Sequence, residues 1–299
     1  MLSSFGRYCL SVVTLGCCMV LCGCSSKSTP EDTPRSPAAS SQEAVTIPAR
    51  VPVSLTDLPG LGAVIENNDD GSCRVLNLTD LPAGTLAGGI DAADEQLKNI
   101  RVVRGKGTIS KELAGTFTRM PRLTEFLWVD LGDSTEAVNS LAALPVKKLR
   151  LCGLDIAPAA YTFLARLTNV EDLDLSGSSI TDDACPYLAE LPKIKKLNLY
   201  QTAVGDRGLD SLAPLAGSVT WLNLDATAVS DTGVESLKTW TKLTFLHLGR
   251  TSIDDQAIGP LASLTGLEKL HVTRTQMSEE GMAALQEKLP SCQVVTRPE

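Results

Sequence analysis

A leucine pattern that returns about every 24 residues constrains this chain more than any other feature. Leu173, Leu175, Ser178, Ile180, Leu188 and Leu191 are followed in register by Leu197, Leu199, Thr202, Val204, Leu212 and Leu215. The same run then reappears as Leu222, Leu224, Thr227, Val229, Leu237 and Trp240, and again from Leu246 and from Leu270. Copies begin near residues 123, 146, 170, 194, 219, 243 and 267. The one long step contains Gly217, where a turn would absorb an extra residue. Repetition at this period is the mark of a stacked, open-ended architecture.

The spacing inside a copy says how it folds. Leu-x-Leu puts two leucines on one face of a short strand. The later Leu-x-x-Leu-x-x-Leu puts its leucines on one helical face. One copy cannot cover its own apolar side, but stacked copies bury a continuous core. Asp206 and Asp231, just ahead of the helical stretch, are placed to cap it. Thr202, Thr227, Thr251 and Thr275 fall where the chain leaves the strand, and their hydroxyls can satisfy buried backbone groups at that bend.

This pattern resembles the leucine-rich-repeat family, L-x-x-L-x-L-x-x-(N/C/T)-x-L, and its continuation is similar to the cysteine-containing subtype with Thr in place of Cys. The match is clear over residues 123–289 and weaker over about 73–122. The resemblance implies a right-handed α/β solenoid, with a parallel sheet on the concave face and helices or short turns on the convex face. It implies a non-enzymatic recognition module more than a catalyst. Residues 55–122 read as an N-terminal cap of degenerate repeats, with Cys73, Leu76 and Leu78 on one strand and Leu97, Ile100 and Val102 on the next. A helix is expected across Lys111–Arg119. Residues 123–299 hold the repeats and a C-terminal cap that closes on a strand near Gln293–Val295.

The start of the chain reads as an address. Arg7 precedes an apolar run from Tyr8 to Leu21, the length of a signal-peptide core and too short to span a bilayer as a helix. Leu21-Cys22-Gly23-Cys24 resembles the bacterial lipobox, which implies cleavage after residue 23 and lipidation of Cys24. The expected location is then the cell envelope, with the protein exported and membrane-bound through its N-terminal lipid. Ser25 in place of an Asp favours the outer membrane over the inner in that family. Residues 24–54 carry Pro30, Pro34, Pro37, Pro48 and Pro52 among many serines and read as a disordered tether.

Composition removes some alternatives. With 27 Lys and Arg against 35 Asp and Glu, the chain is net −8, a poor fit to a nucleic-acid partner, which requires clustered bases. Gly105-Lys106-Gly107-Thr108 lacks phosphate-loop spacing, and no cofactor is expected. The body cysteines Cys73, Cys152, Cys185 and Cys292 are far apart in sequence, so no disulfide is expected. Cys185 should be a buried thiol, Cys73 should occupy a core leucine position, and Cys152 should face outward.

Three outward rows can be read across the strands. They run Lys148, Asp172, Lys196, Trp221, Phe245, Lys269; then Arg150, Asp174, Asn198, Asn223, His247, His271; then Cys152, Ser176, Tyr200, Asp225, Gly249, Thr273. Adjacent strands lie about 4.8 Å apart, so row neighbours should touch. Tyr200, Trp221, Phe245, His247, His271, Arg250, Arg274, Asn198, Asn223 and Asp225 are therefore the expected binding patch for a protein or glycan ligand. A structural or self-associating envelope component is the alternative. His247, His271 and Asp225 could hold a metal only weakly, since sites usually need three or four ligands, and no metal is expected. Asp225 and His247 have no neighbouring serine to complete a hydrolase triad.

If the lipobox reading is right, labelled fatty acid is incorporated into the wild-type protein and lost in Cys24→Ala. Equal labelling of both would contradict it.

Overall fold

The computed structural model describes residues 51–297; the signal sequence, Cys24 and nearly all of the tether lie outside them. Eleven strands form one sheet in strict chain order. They are β1 (Val64–Asn67), β2 (Cys73–Asn77), β3 (Val102–Lys106), β4 (Glu125–Val129), β5 (Lys148–Leu151) and β6 (Asp172–Asp174). β7 (Lys196–Asn198), β8 (Trp221–Asn223), β9 (Phe245–His247), β10 (Lys269–His271) and β11 (Gln293–Val295) complete it. Only the β1–β2 pair is antiparallel, and every later neighbour is parallel. The connections return through helices of one or two turns and 3₁₀ turns. Pro158, Pro186, Pro214 and Pro260 sit within these segments. The two longer α-helices, Lys111–Thr118 and Glu279–Lys288, lie toward the two ends of the sheet. The first falls where the sequence places it.

The core runs unbroken from repeat to repeat. Leu149, Leu173, Leu197, Leu222, Leu246 and Leu270 are register partners across the sheet and are fully buried. Burying each such side chain contributes about 1.5–3 kcal/mol. Backbone groups are shared in the same way. The N–H groups of Leu175, Leu199, Leu224 and Leu248 donate to Asn198, Asn223, His247 and His271 of the next repeat at 2.8–2.9 Å. The threonine ladder takes its expected role: Thr202, Thr227, Thr251 and Thr275 hydroxyls donate to the carbonyls of Leu199, Leu224, Leu248 and Val272 at 2.6–2.9 Å.

Three expectations need correction. Asp206 and Asp231 do not cap their own helices; Gly205 and Ser230 hold the cap positions. Asp206 instead reaches the next repeat, accepting the Ser230 N–H at 2.7 Å and the Ser230 hydroxyl at 2.6 Å. Asp182 accepts from the Gly205 N–H, Asp231 from the Asp254 N–H, and Asp255 from the Ser278 N–H and hydroxyl. The bridging carboxylate of that repeat is thus Asp255, while Asp254 caps the turn by accepting from Gln256. Second, Cys73 is only half-buried. It packs against the edge of the core, beside a register shift in the β1–β2 pair, without entering a fully buried leucine position. Third, β3 turns Val103 and Gly105 inward, with Val102 partly exposed. A side chain at Gly105 would collide with the Trp128 ring, so the indole of the next strand fills the leucine slot that Gly105 leaves empty.

The carboxylate bridges explain two glycines. A Cβ at Gly208 would lie 2.5 Å from Asp182 Oδ1, and one at Gly233 would overlap Asp206 Oδ1. Gly115, inside the Lys111–Thr118 helix, has open space at its Cβ. The two should therefore respond in opposite senses. Gly233→Ala should destabilise by about 1–3 kcal/mol through overpacking, whereas Gly115→Ala should stabilise by up to about 1 kcal/mol through helix propensity. Chemical denaturation measures both; equal shifts of the same sign would remove the bridge explanation.

Candidate functional site

The outward rows pair as the sequence indicates. Lys148, Asp172, Lys196, Trp221, Phe245 and Lys269 are consecutive register partners, as are Arg150, Asp174, Asn198, Asn223, His247 and His271. β8 and β9 therefore bring Trp221 and Phe245 side by side. Their rings stack with centroids 4.7 Å apart and planes 6° from parallel, and both stay partly exposed. Phe245 also meets the His271 ring at 5.5 Å, and His271 meets His247 at 4.4 Å. Four rings from three strands thus form one cluster.

A second group adjoins it. Arg250 donates through Nε to Asp225 Oδ1 at 2.9 Å and through its terminal nitrogen to Asp225 Oδ2. Its guanidinium carbon lies 5.2 Å from the Tyr200 ring centre, within cation–π range. The Asp225 bonds hold the Arg250 pKa above its ordinary value. Arg250 has a left-handed backbone (φ 54°), as do Asp130, Gln201, Ala226 and Arg274, while Gly153 and Gly177 occupy the same place in their repeats. The conformation costs a non-glycine residue roughly 1–2 kcal/mol. Because it recurs, it belongs to the strand-exit turn of the repeat and is not strain built into this site. Gly249 makes the close approach possible, since a Cβ there would press on Asp225, Thr273 and His247 within 3 Å.

Not every expected residue is offered to a ligand. Asn198 Oδ1 accepts the Tyr200 N–H at 3.1 Å, and Asn223 Oδ1 accepts the Asp225 N–H at 2.9 Å. Asp225 is buried and committed to Arg250. Arg274 is exposed at its strand exit. Lys196 and Lys269 flank the stacked rings in the first row, although their importance was not evident from residue type alone. Among the described residues, no three His, Cys, Asp or Glu side chains are grouped to hold a metal. Asp225 Oδ2 lies 3.7 Å from His247 Nδ1, beyond hydrogen-bond reach. Cys185 is buried, and burial pushes its thiol up to about 12. Cys152 is part-buried, takes the Ser176 hydroxyl at 3.1 Å, and is likewise pushed up to about 12, chiefly by burial and then by Asp174.

Comparison with family models and with curated proteins gives no match. Among solved structures, internalin C2 of Listeria monocytogenes is similar, with TM-score 0.54 and 24% identity over 72% of this chain and 89% of that one. The fold is the leucine-rich-repeat fold. An internalin (inlF) of the same organism aligns at TM-score 0.49 and 20% identity, over 71% of this chain and 65% of that one. A plant ice-binding protein aligns at TM-score 0.47 and 20% identity, over 78% and 67%. The likeness to internalin C2 is one of architecture.

His247 gives the site a measurable signature. Burial pushes its pKa down to about 4, against the opposing pull of Asp225 and with help from His271, Arg250 and Lys269. The folded protein thus holds this imidazole neutral, while the unfolded chain takes its proton near the ordinary value of about 6.5. Its contribution to stability is complete above that value and is lost as pH falls toward 4. Wild type should lose stability relative to His247→Asn by about 1 kcal/mol per pH unit across that window, read by denaturant unfolding. Parallel pH profiles would contradict it.

Proposed function

We propose that this protein is a lipid-anchored recognition module of the cell envelope, binding a protein or glycan through the open face of its sheet. On this reading the solenoid is right-handed, the open face is its concave wall, and Cys24 carries the anchor, with residues 24–54 as tether. Ser25 inclines the placement toward the outer membrane. Among the described residues no helix is long and apolar enough to cross a membrane.

One observation carries the reading: Trp221, Phe245, His271, Tyr200 and Arg250 meet on a single stretch of β7 to β10. Aromatic rings and arginine are the side chains that most often dominate binding energy. Here they are already ordered by stacking and by the Asp225 bridge, so less freedom is lost on binding. The work of the site is contact, with no covalent step.

Trp221→Ala and Phe245→Ala should each weaken capture of the partner from envelope extracts by about 2 kcal/mol, close to thirtyfold, without changing the fold by circular dichroism. Unchanged capture would remove this face as the binding surface. Partner-free self-assembly that survives both substitutions would favour a structural role.

A further inference from the structure

The backbone ladder that ties neighbouring repeats stops short in one place. At the exit of β6 two N–H groups bond onward, Leu175 to the Asn198 carbonyl and Gly177 to the Tyr200 carbonyl. At the exit of β2 the first of these bonds is present, from Leu78 N–H to the Arg104 carbonyl at 2.8 Å. The second, which would run from Asp80 to Lys106, is missing. Among the described residues no hydrogen bond joins residues 79–88 to residues 106–110. The first segment closes on itself, with Thr85 N–H on the Pro82 carbonyl and Ala87 N–H on the Gly84 carbonyl. The second is held by the following repeat, with Gly107 N–H on the Val129 carbonyl and Ile109 N–H on the Ser134 hydroxyl.

The two segments therefore part, and a cavity of about 560 Å³ lies between them. Small-molecule sites occupy about 300–1,000 Å³ and are mostly apolar with a few polar groups. Leu78, Leu86, Leu113 and Trp128 line this cavity, and all four are buried in the core.

The polar lining narrows the class of ligand. Most of its donors are already spent. The Thr79 hydroxyl donates to Asn77 Oδ1 and the Thr85 hydroxyl to the Pro82 carbonyl. The Trp128 indole N–H donates to the Gly107 carbonyl, and Lys106 pairs with Asp130 at 3.3 Å. Asp80 is different: its carboxylate has no hydrogen bond or ion pair among the described residues, and it can only accept. The capacity left over is that of a carboxylate beside an apolar wall.

We propose that this cavity is a second binding site, for a small molecule with an apolar body and a protonated amine. The body fills the space against Leu86, Leu113 and Trp128. The ammonium faces Asp80, and the Thr108 and Ser110 hydroxyl oxygens are further acceptors. The site shares no residue with the Trp221–Phe245 face and does not depend on it.

The test titrates the full chain with dansylcadaverine, an aromatic body on a primary amine, and with a dansyl carboxylate of equal chain length. Dansyl emission on tryptophan excitation reads binding, since Trp128 lies in the wall. The amine should bind saturably, at least fivefold more tightly than the carboxylate. Asp80→Asn should weaken the amine by about three- to fivefold, the scale of an exposed ion pair, and bring the two probes within about twofold of each other. Thr108→Trp and Ala83→Trp fill the cavity from opposite walls, and each should weaken the amine at least tenfold while circular dichroism is unchanged. Trp221→Ala should leave binding within about twofold. Equal binding of both probes, blocked by the filling variants, would overturn the amine assignment. Amine binding that ignores both filling variants, or that is lost in Trp221→Ala, would overturn the cavity as its site. Failure of both probes to bind would overturn the proposal outright.

Discussion

Each repeat leaves part of itself for the next repeat to complete. A three-residue strand with a short helix cannot bury its leucines alone, and its backbone N–H groups would otherwise point into an apolar interior. The next repeat supplies the covering leucines and the carbonyls of Asn198, Asn223, His247 and His271. On the helical side a carboxylate does the same, with Asp206 and Asp255 holding the start of the following helix through Ser230 and Ser278. These charge-assisted bonds explain why Gly208, Gly233 and Gly281 sit beneath them, where a methyl group would collide. The repeat is thus tied at its strand and at its helix to the same neighbour.

That double tie fixes the register, and the register makes the site. Trp221 and Phe245 stack because they are partners on adjacent strands. A slip of one residue would turn both rings into the core and bring leucines out. Arg250 meets Asp225 and Tyr200 for the same reason: the strand-exit turn holds its backbone while Gly249 leaves room beside the carboxylate. Rigidity of the scaffold becomes readiness of the surface, since the side chains that would meet a partner are already held by their neighbours.

The strands from β4 to β11, their order and the three outward rows were legible in the sequence because two simple periods, two within a strand and about 24 between repeats, determine them; β1 and its antiparallel pairing lie before the clear repeats. Rows of residue types said who stands beside whom. They did not say which groups are spent inside the molecule. Asn198 and Asn223 resemble ligand contacts by position, yet their oxygens serve backbone N–H groups two residues on. Asp225 looks available until Arg250 is seen to hold it. The Asp206 bridge was read as a local cap because its partner is 24 residues away. Register at β3 was misread for a different reason: Gly105 breaks the leucine alternation, and the Trp128 ring that fills its place comes from another strand. In each case the missing information was a partner remote in sequence.

The claim that neighbouring repeats are tied through their helix starts is tested most directly by a double-mutant cycle on Asp206→Ala and Ser230→Ala, read by denaturant unfolding. The two residues lie in different repeats, so only a bond across the boundary couples them. The account predicts a coupling free energy of about 1 kcal/mol or more. Additive effects, within about 0.3 kcal/mol, would contradict it.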